Sequence, residues 1–370
     1  MAGTKRVLIY RLGSLGDTVV ALPGFHLVSR AFPEAERRLL TNFPVAGKAP
    51  PAAAVLEGTG TVHGYFRYSA GTRSWRELLA LWWRIARWRP EVLVYLGPAR
   101  GVESARRDEQ FFRMCGISRM VGVPVTEEMQ RNRQSFDPEL GYEVEEYEAE
   151  RLARNLNELG DANCRDSKSW DLRLTEAERE RAAAVLEAAG GRPVIAMCLG
   201  TKVQPNDWGE VNWRALLDEL AEQYPQYALA VTGAPDDRAA SERVTAGWRQ
   251  RAAEGACGPV IDLCGELSPR ESAAVFERAR VYLGHDSGPM HLAAAVGTRC
   301  VAIFSGRGKP KRWFPYGRGH RVLYHRVSCW GCGLEMCVVE AKRCILSIGV
   351  DEVAREIEGV LGDKLVSCEL

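Results

Sequence analysis

No apolar run in this 370-residue chain reaches the roughly 18 residues that a membrane-crossing helix needs, and the N-terminus has no apolar leader segment. Both absences predict a protein that works in the cytoplasm, at most peripheral to the inner membrane. Charge of one sign is also missing, because 49 Lys and Arg stand against 48 Asp and Glu. Nucleic-acid binders show a basic excess or stripe, so that class is excluded. A disulfide framework is not indicated either. The eleven cysteines are an odd number, and Cys115, Cys198, Cys264 and Cys300 sit singly in apolar runs, as small buried hydrophobes do.

What is there is enough for two cores, with 46% hydrophobic residues spread along the whole length. Short β-rich runs alternate with helical stretches, which predicts an α/β protein with parallel sheets covered by helices. In the first half, strands are expected near Val7–Tyr10, Arg38–Thr41 and Val92–Leu96, and helices over Thr18–Ala31 and Ser74–Trp88. A polar, charge-rich segment from Thr126 to about Trp170 shows few strand signals. Thr175-Glu176-Ala177-Glu178 has the form of a capping box that opens a helix ending at Gly190-Gly191. The alternation then restarts, with strands at Pro193–Leu199, Tyr227–Thr232, Val260–Leu263, Val281–Gly284 and Cys300–Phe304. These signals divide the chain into residues 1–170, a linker helix at 171–192, a second domain at 193–348 and a C-terminal helix at 349–370.

Ligands of doubly wound sheets collect at the C-terminal ends of strands, so the loops just after strands carry the candidates. Three stand out. After the first strand, Arg11-Leu12-Gly13-Ser14-Leu15-Gly16-Asp17 leads into a helix, and Gly13, Ser14 and Gly16 form a candidate phosphate or acceptor loop. It is no dinucleotide fingerprint, since the third glycine and the acidic residue about 20 positions on are absent. Asp17 is either the helix N-cap or a carboxylate presented to a sugar hydroxyl. In the second half, Gly200-Thr201-Lys202 follows a strand and precedes Asn206-Asp207-Trp208; it is a plain surface loop or a diphosphate cradle in which Lys202 supplies charge. The third is His285-Asp286-Ser287-Gly288-Pro289-Met290-His291. Pro289 suits a first helical position, and the amides of Ser287 and Gly288 suit a pyrophosphate. The bland alternative makes Asp286 a cap and His291 a core histidine.

With these segments together, the chain resembles glycosyltransferase family 9, the ADP-heptose:lipopolysaccharide heptosyltransferases. The resemblance covers nearly the whole chain. It is most specific from Leu263-Cys264-Gly265 through Asp286–His291 to Ile303-Phe304-Ser305-Gly306, and it includes the opening loop Arg11–Asp17 and the W-x4-W stretch of Trp208 and Trp213. It implies a GT-B fold, two Rossmann-like domains facing a central cleft, and inverting transfer without a catalytic metal. The first domain would bind the acceptor and the second the nucleotide-sugar, with the C-terminal helix packing back on the first domain. Asp17 would be the general base. Thr201, Lys202, Ser287, Gly288 and His291 would contact the donor nucleotide and pyrophosphate, Asp286 the sugar and Asp237 the ribose. Family members often carry a lysine two residues before the tryptophan at Trp208; here that residue is Asn206, which puts ADP-heptose as the donor in question and makes Asn206 a candidate donor contact. The acceptor would be a lipopolysaccharide core sugar, another glycan or lipid-linked scaffold, or a protein hydroxyl.

Two features lie outside that frame. Cys329-x2-Cys332-x4-Cys337-x6-Cys344 has spacing suited to a structural zinc or iron site, with reduced thiols or a disulfide pair as the alternative. The stretch Trp75–Arg89 mixes Trp75, Trp82, Trp83 and Trp88 with Arg76, Arg84, Arg87 and Arg89. It reads as an ordinary helix with a Trp-rich buried face, and alternatively as a membrane-interface helix. Arg67, Arg73 and Arg100 are candidates for holding an acidic acceptor. A nucleotide-sugar epimerase on the same fold and a catalytically silent, metal-stapled assembly protein are the competing functions.

Overall fold

The computed structural model describes residues 3–43, 50–69, 71–138 and 140–362; the end of the expected C-terminal segment, 363–370, lies outside the described residues. The chain divides into two compact units, Met1–Leu172 and Arg173–Leu370. In the first, β1 (Arg6–Tyr10), β2 (Glu36–Asn42), β3 (Gly64–Tyr68), β4 (Val92–Tyr95) and β5 (Arg119–Val121) form a parallel sheet in the order β3-β2-β1-β4-β5. The charged segment that shows few strand signals contains an antiparallel hairpin, β6 (Gln134–Asp137) and β7 (Tyr142–Glu145). Half of its residues are exposed and most are polar, and the alternation of Tyr142-Glu143-Val144-Glu145 is too short to mark a strand.

The second unit repeats the parallel design. β8 (Val194–Cys198), β9 (Ala228–Gly233), β10 (Val260–Cys264), β11 (Val281–His285), β12 (Cys300–Phe304) and β13 (Arg321–Tyr324) lie in the order β10-β9-β8-β11-β12-β13. β4, β8, β11 and β12 are buried at every residue, as parallel strands covered on both faces should be. In both sheets the strand order reverses beside the strand that opens the unit: between β1 and β4, and between β8 and β11. Crevices at such reversals are where open α/β sheets hold ligands.

Several helices differ from expectation for identifiable reasons. The single helix expected over Thr18–Ala31 is two, Leu15–Val20 and Leu22–Ala31, with Pro23 in the first turn of the second. Proline lacks the N–H for an i−4 bond and crowds that carbonyl, so it restarts the helix rather than continuing it. The capping box at Thr175 forms: Thr175 N–H donates to Glu178 Oε2 at 2.7 Å, and Glu178 N–H to Thr175 Oγ1 at 3.3 Å. Its helix, Glu176–Leu186, is tied into the second unit, where Arg270 Nε donates to Glu178 Oε1 at 2.6 Å. The helix Val350–Gly362 places Val353, Ala354, Ile357 and Val360 in the second unit's own core with Ile195, Trp213 and Leu217. The helix Trp75–Trp88 buries Leu81, Ile85 and Trp88, whereas Trp75, Trp82 and Trp83 are exposed, which corrects the expectation of a Trp-rich buried face.

Candidate functional site

At the reversal in the first sheet, the chain leaves β1 through Arg11 and turns at Gly13, whose φ is +132°. A Cβ at Gly13 would lie 2.5 Å from both Cβ and Cγ of Asp17, so only glycine lets this carboxylate sit over the turn. Ser14, not Asp17, is the N-cap of the helix Leu15–Val20, and Gly16 lies in its first turn. Asp17 stands at the third helical position and reaches back: its Oδ2 accepts the Ser14 N–H at 2.8 Å and the Ser14 hydroxyl at 3.1 Å. Its Oδ1 lies 3.7 Å from Arg11 Nη2, and the side chain stays 30% accessible. Gly13 N–H donates to Asn42 Oδ1 at the end of β2, pinning the loop to the sheet.

Arg11 is the residue that sequence reasoning passed over. It is fully buried, donates from Nη1 to Leu96 O at 2.7 Å, and donates from Nη2 to Asp17 O. Burial pulls its pKa down, while Asp17 and then Glu148 pull it up. Glu148 belongs to a buried ion pair with Arg151 and also accepts from Asn132 Nδ2 at 3.3 Å; Arg151 in turn pulls the Arg11 pKa down, so Asp17 is the first counter-charge of the buried guanidinium. Nothing in the local sequence marks the nearness of Arg11 to the pair of Glu148 and Arg151, because the two come from distant parts of the chain. Arg100, a candidate for an acidic acceptor, is engaged instead with Asp108 and with the Tyr10 hydroxyl at 3.0 Å. Arg67 stacks over the rings of Phe43 and Tyr65.

The reversal in the second sheet gathers most of the other candidates. Asn206 is buried, and its Nδ2 donates to both the main-chain oxygen and Oδ2 of Asp286 at 3.3 Å. Its Oδ1 accepts from Ser305 Oγ at 2.6 Å, so one amide ties the loops after β8, β11 and β12 together. Asp237 reaches over the ends of β8 and β9: its Oδ2 accepts the Ala234 N–H at 2.8 Å and would lie 2.8 Å from a Cβ at Gly200. The Thr201 hydroxyl donates within its own turn to Val203 O, and Lys202 is exposed beside it. Ser287 is the N-cap of the helix Gly288–Ala295, with Pro289 in its first turn. The N–H groups of Ser287, Gly288 and Met290 lie ahead of the first i−4 bond of this helix, as at any helix start, and suit an anion. His291 is buried with its ring against Trp313.

Beneath this edge His285 organises the W-x4-W stretch. Its Nε2 accepts from the Trp208 backbone N–H and from Trp213 Nε1–H, each at 3.1 Å, so the proton is on Nδ1, which donates to Leu199 O at 3.2 Å. Burial lowers its pKa to about 4, consistent with a neutral ring. Lys342, which drew no attention in the sequence, donates from Nζ to Asp207 O at 2.8 Å, and Cys337 N–H donates to Gln204 Oε1 at 3.0 Å. The Cys-rich loop is therefore strapped onto the loop that carries Asn206.

The four thiols of that loop are free and unalike. Cys332 is exposed, Cys329 and Cys337 are half-buried, and Cys344 is buried. The backbone N–H of Lys342 is the first of those that lower the Cys337 thiol pKa, while burial raises that of Cys344. Among the described residues no group of three or more His, Cys, Asp or Glu is placed to hold a metal ion. No helix among the described residues is long and apolar enough to cross a membrane.

Two parallel α/β units with polar loops at each strand reversal make up a protein of the GT-B fold class. The crystal structure of the glycosyl transferase family 9 from Veillonella parvula superposes with a TM-score of 0.69 at 16% identity, covering 97% of this chain and 98% of that one. The structure of Escherichia coli ADP-heptose lps heptosyltransferase II does so with a TM-score of 0.65 at 17% identity, over 96% and 98%. Residues 127–341, more than half of the chain, match the model of glycosyltransferase family 9 (heptosyltransferase), and the chain belongs to that family. Lipooligosaccharide heptosyltransferase 2 of Haemophilus influenzae is 29% identical over 116 residues, 31% of this chain and 32% of the relative. The chain thus matches about a third of that curated relative's length.

Proposed function

We propose that this protein is an inverting glycosyltransferase in which Asp17 takes the proton from an acceptor hydroxyl. The sugar is a heptose carried on ADP, and the acceptor is a hydroxyl of a lipopolysaccharide core, another glycan or a protein. The observation that carries the reading is the way Asp17 is held. One carboxylate oxygen is anchored by Ser14, the other faces the buried Arg11, and the group is accessible at the end of β1. A base fixed in one orientation avoids the entropic cost of finding its proton. The freed oxygen attacks the anomeric carbon from the side opposite the nucleoside diphosphate, which leaves with the bonding electron pair and inverts the centre. The negative charge on that leaving group suits the start of the helix Gly288–Ala295 and the exposed Lys202. Asp286 offers a carboxylate to a sugar, with the buried Asn206 amide holding that group in place, and Asp237 stands at the edge where a ribose would lie.

The test is donor turnover by the purified protein with ADP-heptose beside UDP- and GDP-sugars, and with Asp17→Asn as control. Turnover of ADP-heptose that falls by about 10²–10⁴-fold in the variant, with nucleotide binding retained, is the expected result. Turnover of another donor alone would retain the base and reassign the sugar, with Asn206 as the mark of the change. Absence of both turnover and nucleotide binding would overturn the reading in favour of a silent assembly protein.

A further inference from the structure

The helix Trp75–Trp88 is amphipathic twice over. Its face of Leu81, Ile85 and Trp88 packs into the core of the first unit with Leu8, Phe66 and Leu93, so the needs of the fold are met on that side. A second apolar stripe of Trp75, Leu78, Leu79, Trp82 and Trp83 faces outward; Trp75, Leu79 and Trp83 are 65%, 52% and 57% exposed. At about 100° per residue these side chains fill roughly 140° of the helix circumference, adjoining the buried face. The stripe continues onto Met114, 66% exposed, because Trp82 Nε1–H donates to Met114 O at 2.7 Å and holds the two helices side by side.

Exposed apolar surface this concentrated needs an occupant. The charges beside it say which. Residues 73–89 carry Arg73, Arg76, Arg84, Arg87 and Arg89 against Glu77 alone, in a chain whose overall charge is nearly balanced. Arg76 and Arg87 stand at the stripe's margin, with their guanidinium carbons 5.5 Å and 5.6 Å from the ring centroids of Trp75 and Trp83. Indole rings flanked by arginines match the boundary between acyl chains and anionic headgroups: the rings enter, and the guanidinium groups remain at phosphate level.

We infer that this face is a docking surface for anionic lipid, which seats the first unit on a membrane without crossing it. The experiment is co-sedimentation of the full chain with phosphatidylcholine vesicles containing about one-third phosphatidylglycerol, against phosphatidylcholine alone. Binding is expected to the anionic vesicles, weakened by salt and reduced about tenfold or more in a Trp75→Ser, Leu79→Ser, Trp83→Ser variant whose thermal unfolding is unchanged. Replacing Arg76 and Arg87 by Ser should remove the preference for anionic vesicles while leaving the fold intact. Equal binding by the triple variant, or no binding by the native protein, would overturn the inference. So would a native dimer that the triple variant dissociates, since a second copy would then be the occupant. Vesicle binding is read without donor or acceptor, so its outcome is separate from that of the transfer reaction.

Discussion

His285 has both ring nitrogens committed, one receiving two tryptophan N–H groups and the other bound to Leu199 O. The residue shows how far a motif can be understood without its tertiary partner: Trp208 and Trp213 are visible as a pair in the sequence, but their shared acceptor is 72 residues from Trp213. Replacing His285 by Ala should leave two buried donors unpaired and cost about 2–5 kcal/mol in a denaturant titration. The lowered pKa also sets a pH dependence. Above about 6.5 the ring is neutral in both the folded and unfolded chain. As pH falls from there towards about 4, only the unfolded chain takes up the proton, so this contribution to stability is lost on acidification, at up to about 1.4 kcal/mol per pH unit. Unfolding midpoints at pH 7 and pH 5 should differ accordingly, and His285→Gln should lessen the difference. At Gly13 the constraint is backbone geometry. Gly13→Ala demands a positive φ of a side-chain-bearing residue and pushes a methyl into Asp17, so it should cost about 1–3 kcal/mol and lower turnover more than nucleotide binding.

Individual helices are set by local chemistry to different degrees. The helix Glu176–Leu186 is announced by its own capping box, and Thr175→Ala should cost about 1 kcal/mol without touching transfer. The restart at Pro23 is also local, legible once proline's missing N–H is weighed against the apolar periodicity. The helix Trp75–Trp88 is different. Its sequence marks a helix, but five large apolar residues on one side and three on another leave open which face is buried; packing against Phe66 and Leu93 selects Leu81, Ile85 and Trp88. The strap from the Cys-rich loop belongs to this scale as well. Lys342→Ala removes the bond to Asp207 and should loosen the loop carrying Asn206, raising the KM for donor more than it lowers kcat.

Across the whole molecule, each unit has its own core, one built around Leu8, Leu93 and Phe112 and the other around Ile195, Trp213 and Ile357. Under the proposed function, a nucleotide bound by the second unit should therefore stabilise that unit selectively. With ADP at about a hundred times its Kd, the expected gain is about 2.7 kcal/mol in the second unit's transition, measured by calorimetry. The alternation of apolar runs and helices determined the α/β class and most strands of both sheets, because parallel strands covered on both faces must be continuously apolar. The loop segments Arg11–Asp17 and Asp286–His291 were equally visible, because glycine, proline and cap residues act through local backbone geometry. Tertiary structure alone decided the rest. The reversal of strand order puts those loops at crevices, the buried Arg11 guanidinium is fastened to Leu96 O, and Asn206 is fastened between Asp286 and Ser305. It also decides how the four cysteines differ, Cys332 exposed and Cys344 buried, since spacing limits how close thiols can come but packing decides the surroundings of each one.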